Sequence, residues 1–69
     1  MTVVKHAIGE IDVVKLLDDV GKWPAGTEGT VVSDHGDVKL VEISDDRGVM
    51  LDLISVPEPR LKLVVKYSD

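Results

Sequence analysis

Turn-forming residues recur about every ten positions and divide the chain into short segments. The turn signals are residues 21–29 and the stretches Asp34-His35-Gly36-Asp37, Asp45-Asp46-Arg47-Gly48 and Pro57-Glu58-Pro59. Between them lie many of the 13 Val and 4 Ile residues, whose β-branched side chains favour strands. Short strands at this spacing are typical of a small barrel or sandwich rather than of alternating strands and helices.

The pattern predicts five strands, over residues 11–17, 27–33, 38–44, 49–56 and 61–65. Residues 11–20 also fit a helical spacing, but the strand is preferred because Asp18 and Asp19 form a polar end for it. Gly36 and Gly48 lie in the tips of two predicted hairpins, since glycine accepts a positive φ. Pro57 and Pro59 lack an N–H donor, so strand pairing is expected to give way there to one tight 3₁₀-like turn.

The alternation of apolar residues predicts which face of each later strand is buried. In the third strand Lys39, Val41 and Ile43 share one face. In the fourth, residues 49, 51 and 53 are expected to point inward, which leaves Met50, Asp52 and Ile54 outside. In the fifth strand the inward residues are expected to be Leu61, Leu63 and Val65.

Together these segments predict an all-β protein. We expect residues 11–67 to form a small five-stranded SH3-like barrel, and residues 1–10 to form an N-terminal arm with an extra strand over residues 2–8. A 69-residue chain builds one thin core. With no Phe and no Cys, that core is aliphatic and has no disulfide to stabilise it, so we expect self-association to add stability. We also expect no pocket of several hundred Å³.

The charge balance narrows the classes of partner. Thirteen Asp and Glu against eight Lys and Arg give a net charge of −5, which disfavours nucleic-acid binding. No apolar run approaches the ~20 residues that cross a bilayer. The first residues lack the layout of a signal peptide, so a soluble, cytoplasmic protein with no membrane partner is expected.

Four segments carry a resemblance to a known family: residues 26–32 (Gly-Thr-Glu-Gly-Thr-Val-Val), residues 41–43 (Val-Glu-Ile), residues 46–48 (Asp-Arg-Gly) and Leu61. They resemble the bacterial domain-of-unknown-function family numbered 4926, which consists of short SH3-like barrels, over about residues 11–65. Ile43, where an aromatic residue is expected, and Trp23-Pro24, where a leucine-like residue is expected, depart from its pattern. The chain also resembles, more distantly, the SH3-like part of nitrile hydratase accessory subunits. The resemblance implies the fold but neither an activity nor any site residue.

Polar side chains offer few candidates for catalysis or metal binding. His35 with Asp34 and Asp37 could hold a divalent metal, although the same residues suit a tight turn. His6 has no recognisable nucleophile beside it. A further set of carboxylates could pair as the acid and base of a hydrolase, but we interpret them as a solvated face. They are Asp12, Asp18, Asp19 and Glu28. We therefore expect no enzymatic activity, no catalytic residue, no metal site and no cofactor.

Aromatic residues mark the surface on which a protein partner is expected to bind. Trp23 and Pro24, with Tyr67, form this hypothetical site, because Trp and Tyr are frequent interface hot spots. In the alternative interpretation Trp23 folds over one barrel end as a lid.

The apolar N-terminal segment is expected to add a strand to the barrel's own edge or to another subunit. The residues assigned to that oligomer interface are Val4, His6, Ile8, Met50 and Ile54. The sequence thus predicts a non-catalytic interaction module that forms homo-oligomers and binds an unidentified protein partner. The alternative is a small-ligand or metal-binding accessory protein whose site lies at a subunit interface and uses His6, His35 and the Asp residues.

Overall fold

Five antiparallel strands form one sheet in the computed structural model, which describes residues 8–68. The strands are β1 (Val13–Leu16), β2 (Glu28–Asp34), β3 (Val38–Ser44), β4 (Met50–Pro57) and β5 (Leu61–Val65), with a 3₁₀ turn over Glu58–Arg60. Their order across the sheet is β4-β3-β2-β1-β5. The all-β, five-stranded prediction is confirmed. Among residues 8–68 β4 and β5 do not pair, so the sheet is open between them.

Predicted and observed boundaries agree closely where turn residues delimit a strand. β3 has the predicted bounds, and β1 is a strand, shorter than predicted, rather than part of a helix. The β3–β4 connection is the predicted hairpin, in which Asp45 Oδ1 accepts the N–H of Arg47 and of Val49, both at 2.9 Å. Gly48 has φ +83° there, which glycine adopts without strain. The 3₁₀ turn after Pro57 is also confirmed.

The core is aliphatic, as the composition predicts. Its buried side chains come from every strand: Ile8, Val14, Leu16, Val31, Val41, Ile43, Val56 and Leu61. Partly buried side chains pack around this cluster, namely Val20, Trp23, Ile54 and Leu63. The apolar face of the sheet is therefore covered in part by Ile8, which precedes β1, and by Val20 and Trp23, which follow it. No helix in the described part of the chain is long and apolar enough to cross a bilayer.

A close approach of β2 and β3 explains the glycine inside β2. A Cβ atom on Gly29 would lie 2.6 Å from Val41 Cγ1 and 2.7 Å from the Glu42 carbonyl oxygen. Both distances are far below van der Waals contact, and the carbonyl oxygen belongs to the backbone. Gly29 therefore allows the two strands to pack together where the sheet folds over the core.

The predicted orientation of β4 is wrong. Leu51 and Leu53, expected inside, are 51% and 45% exposed, whereas Val56 is fully buried and Ile54 packs against the core. The residues of β4 that face inward therefore include Asp52. Its carboxylate is tolerated in this position because it accepts a hydrogen bond from the Trp23 indole N–H.

Two further orientations also differ from expectation. Val65, expected inside, is 40% exposed, since a bulge shifts the β1–β5 register between Val13 and Val14. Ile8, assigned to an oligomer interface, is 3% exposed and belongs to the core. The other residues of the predicted strand over residues 2–8, with Val4 and His6, lie outside the described residues.

Candidate functional site

An open groove lies beside the 3₁₀ turn, with a volume of about 550 Å³. Its apolar lining comes from Ile8, Leu17, Pro59, Leu61 and Leu63. Its charged lining comes from Asp37, Glu58 and Lys62. The expectation of no pocket of several hundred Å³ is wrong, because the space lies outside the filled core, between the 3₁₀ turn, β5 and Leu17.

Backbone hydrogen bonds fix the 3₁₀ turn at both ends and so hold the wall of the groove. The N–H of Glu58 donates to the carbonyl of Asp37 at 2.7 Å, and the N–H of Leu17 donates to the carbonyl of Arg60 at 2.9 Å. Arg60 also donates from Nε to Asp18 Oδ1 at 3.2 Å. The turn is thereby joined to the β2–β3 hairpin on one side and to the end of β1 on the other.

A buried lysine supports the acidic side of the groove. Lys39 is fully buried, and its Nζ donates to Asp34 Oδ1, to the Gly36 carbonyl at 2.7 Å and forms an ion pair with Glu58 Oε1 at 3.0 Å. An ammonium group has three donors, and these three acceptors use them all. Lys39 therefore orients Glu58 at the groove and joins the hairpin to the 3₁₀ turn.

Two opposing effects act on the pKa of Lys39. Burial by itself lowers this pKa, but hydrogen bonds and ion pairs with Asp34 and Glu58 outweigh burial and raise it above its usual value. Lys39 consequently stays charged at neutral pH, which is unsuited to a general base or an amine nucleophile.

Asp12 is the second buried charged residue. Its burial contradicts the prediction that it belongs to a solvated face. Its Oδ1 accepts the backbone N–H of Tyr67 at 2.7 Å and of Ser68 at 2.6 Å, and its Oδ2 accepts the N–H of Gly9 at 2.9 Å. The Ser68 hydroxyl and Lys66 Nζ also contact Oδ2, at 2.8 and 3.2 Å. Burial raises the pKa of Asp12, but these hydrogen bonds hold that pKa well below its usual range. The carboxylate is structural.

Trp23 lies at the other candidate surface, in a short bridge with Val20. Its ring is half-buried against the core, and its Nε1 donates to Asp52 Oδ2 at 2.7 Å. Lys22 Nζ lies 5.2 Å from the ring centroid, a cation–π geometry. The ring of Trp23 thus packs against the core, and its indole N–H has an acceptor within the chain.

The other predicted partner-binding residues are exposed. Pro24 is exposed, and its carbonyl accepts the Thr27 hydroxyl at 2.7 Å. Tyr67 is 62% exposed, and Met50 of the predicted oligomer interface is 55% exposed. Tyr67 contributes only backbone to the Asp12 cluster, so its ring is turned to solvent.

The candidate metal and acid–base residues do not converge. Asp34 is committed to Lys39 and to the Gly36 N–H, while His35 Nε2 lies 2.9 Å from the Ser33 hydroxyl. Within residues 8–68 no three His, Asp or Glu side chains are grouped as metal ligands. Asp18, Asp19 and Glu28 are exposed, as predicted, whereas Asp12 is buried away from solvent.

Sequence reasoning missed the groove and the ion pairs of Lys39. A signal for Lys39 was present, since it shares a face with Val41 and Ile43 and that face is the buried one. The groove had only the Pro-Glu-Pro-Arg stretch as a signal, which predicts the turn but not the space beside it. No protein-family model, curated protein or solved structure matches this chain.

Proposed function

We propose that the chain is a non-catalytic interaction module with an SH3-like barrel arrangement, related to the family numbered 4926. The strand order β4-β3-β2-β1-β5 and the 3₁₀ turn before β5 support that arrangement. The buried ionisable groups Asp12 and Lys39 support a non-catalytic role, because each is saturated by partners that join segments of the fold.

The groove carries the proposal. Leu17 is 51% exposed there, although a surface leucine beside other apolar side chains gains free energy when covered. Asp37 and Glu58 line the same groove with carboxylates, and Lys62 adds one positive charge to the lining. The partner that fits is a short polypeptide segment with apolar side chains and a neighbouring Lys or Arg.

Selection from a displayed library of random peptides tests this proposal with a defined probe. The full-length chain is expected to enrich peptides that combine apolar residues with Lys or Arg. Leu17→Asp introduces a charge into the groove and is expected to weaken binding of the selected peptides at least about tenfold. Val32→Asp, at a residue that is 40% exposed and outside the groove lining, is the matched control.

Trp23→Ala separates the groove from the surface that the aromatic residues predict. If the selected peptides lose binding in Trp23→Ala but not in Leu17→Asp, the partner surface is the Trp23, Pro24 and Tyr67 site instead. If the library yields no peptide that depends on either residue, the proposed function is wrong.

The volume of the groove favours one second candidate, a small-ligand accessory protein. About 550 Å³ lies within the range of small-molecule sites, and the apolar lining suits an apolar ligand. A thermal-shift panel of metal ions and metabolites tests this alternative. A rise in melting temperature that Leu17→Asp abolishes supports it, and unchanged melting temperatures across the panel contradict it.

A further inference from the structure

Strand β4 presents apolar side chains to solvent at one end of the sheet. We call Val49, Met50, Leu51 and Leu53 the β4 patch; these residues are 56%, 55%, 51% and 45% exposed. Among residues 8–68 β3 is the strand that pairs with β4, and β4 is the terminal strand of the sheet. The four side chains together offer on the order of 400 Å² of apolar surface, with Leu51 and Leu53 on one face of β4 and Met50 on the other. The largest apolar patch of a typical monomer is of this size and is often functional.

Charge distinguishes β4 from β5, the other terminal strand. β5 contains Lys62 and is followed by Lys66, and lysine on an edge strand opposes pairing with a second chain. β4 contains no Lys or Arg, and its one charged residue, Asp52, accepts hydrogen bonds from Trp23 Nε1 at 2.7 Å and from the Leu53 N–H at 2.8 Å. β4 therefore lacks the lysine that β5 carries, and its Pro57 stands only at the last position of the strand.

We propose that β4 is the surface through which two copies of this chain associate, with the two β4 strands antiparallel about a two-fold axis. A two-fold axis brings the same patch of each copy together, so apolar side chains meet apolar side chains. Asp52, the one charged residue of β4, already accepts hydrogen bonds within its own chain. Two patches of this size, with the strand backbones between them, bury on the order of 1,000 Å², the lower end of specific interfaces.

This inference goes beyond the proposed function, because no residue of the β4 patch lines the groove. The two surfaces therefore have no residue in common. The peptide experiment and the experiment below can therefore fail independently.

Single-cysteine variants of the full chain test the arrangement, since the chain contains no cysteine of its own. A lone cysteine forms a disulfide only with a second copy. We expect mild oxidation to convert at least one of Leu51→Cys, Leu53→Cys and Ser55→Cys into a covalent dimer. Val64→Cys, on β5 and 42% exposed, is the matched control and is expected to stay monomeric. Equal cross-linking of Val64→Cys, or none by any β4 variant, overturns the proposal.

Sedimentation equilibrium provides a measurement without cross-links. The wild type is expected to be dimeric at about 100 μM, and Leu53→Asp to raise the dimer dissociation constant at least about tenfold. Val32→Asp adds the same charge elsewhere and is expected to change it little. Each chain carries −5 charges, so added NaCl is expected to strengthen the wild-type dimer. A wild type that stays monomeric at about 100 μM overturns the proposal.

Discussion

Asp12 and Ser68, 56 positions apart, are joined by the shortest contact of the Asp12 cluster, a hydrogen bond of 2.6 Å from the Ser68 N–H to Asp12 Oδ1. Asp12 lies just before β1, and Ser68 follows β5, the strand that pairs with β1. The carboxylate thus fixes the end of β5 beside the start of β1.

Asp12→Asn is expected to lower the free energy of unfolding by about 3 kcal/mol, because its amide group would direct donors at N–H groups that now bind a carboxylate. Urea unfolding followed by circular dichroism measures this loss. Asp46→Asn, in an exposed hairpin, is the control and is expected to change stability by less than about 0.5 kcal/mol. A loss in Asp12→Asn no larger than in the control would contradict the structural role.

The low pKa of Asp12 also predicts how stability depends on pH. A carboxyl group whose pKa is lower in the folded state contributes stability that is present above its unfolded pKa, about 4, and that is lost as the pH falls toward the folded value. The wild type is therefore expected to lose more stability than Asp12→Asn between about pH 5 and pH 2. Unfolding curves of both proteins at several pH values check this, and parallel pH profiles would contradict it.

Lys39→Met is expected to destabilise the fold by about 3 kcal/mol, since it leaves the Asp34 and Glu58 carboxylates without their shared cation. The triple variant Lys39→Met, Asp34→Asn, Glu58→Gln removes all three charges and is expected to recover at least half of the loss. Chemical unfolding of both variants provides the measurement. If the triple variant is no more stable than Lys39→Met, the loss comes from packing and not from unpaired charge.

The raised pKa of Lys39 also predicts how stability changes at alkaline pH. Its pKa is raised by folding, so its contribution is complete below the unfolded value, about 10.4, and is lost as the pH rises through the folded value. Wild type and Lys39→Met are therefore expected to converge in stability only above about pH 10. Convergence near neutral pH would contradict this assignment.

Ile11 has φ +68°, a left-handed conformation that is unfavourable for a β-branched side chain. It is 57% exposed, and only its backbone is held, by a hydrogen bond of 2.7 Å from its N–H to the Val31 carbonyl. Ile11→Asn is expected to raise the free energy of unfolding by about 1 kcal/mol, because asparagine tolerates this conformation. Thermal unfolding measures the gain, with Glu10→Asn in the same turn as the control. A destabilised Ile11→Asn would show that the exposed side chain contributes more than the strain costs.

The hydrogen bond between Trp23 and Asp52 is expected to be visible in the titration of the Asp52 carboxyl group. The hydrogen bond from Trp23 Nε1, with that from the Leu53 N–H, lowers the pKa of Asp52. Trp23→Phe keeps an aromatic ring but removes the donor, so the pKa of Asp52 is expected to rise toward its usual value. Titration of the side-chain carboxyl by NMR measures the change, and an unaltered midpoint would show that the hydrogen bond does not hold Asp52 in solution.

The sequence predicts the strands of this protein better than it predicts their faces. Turn residues with a defined backbone chemistry, such as Asp45 and Gly48, delimit β3 and β4 correctly, because the signal is local. Which face of β4 points inward depends on a contact between distant residues. The indole N–H of Trp23, 29 positions from Asp52, donates a hydrogen bond that makes a polar residue acceptable at an inward position. An alternation count cannot include that partner.

The same distinction applies to the candidate sites. Exposed residues such as Tyr67 could be identified from their type alone, whereas Lys39 acquires its partners only when the β2–β3 hairpin and the 3₁₀ turn come together. The groove arises from that same meeting. Local patterns therefore predict the elements, and contacts between segments that are distant in sequence determine the site.

The Asp12 cluster has a consequence for the folding of the protein during its synthesis on the ribosome. β1 is made early but pairs with β5, and two of the three backbone N–H groups that Asp12 accepts belong to residues 67 and 68. A nascent chain that ends before Tyr67 has only the Gly9 N–H and Lys66 as partners for this carboxylate, so its burial is then less favourable. Complete folding is therefore expected only after Ser68 has emerged, and until β5 is made the edge of β1 that pairs with it stays uncovered.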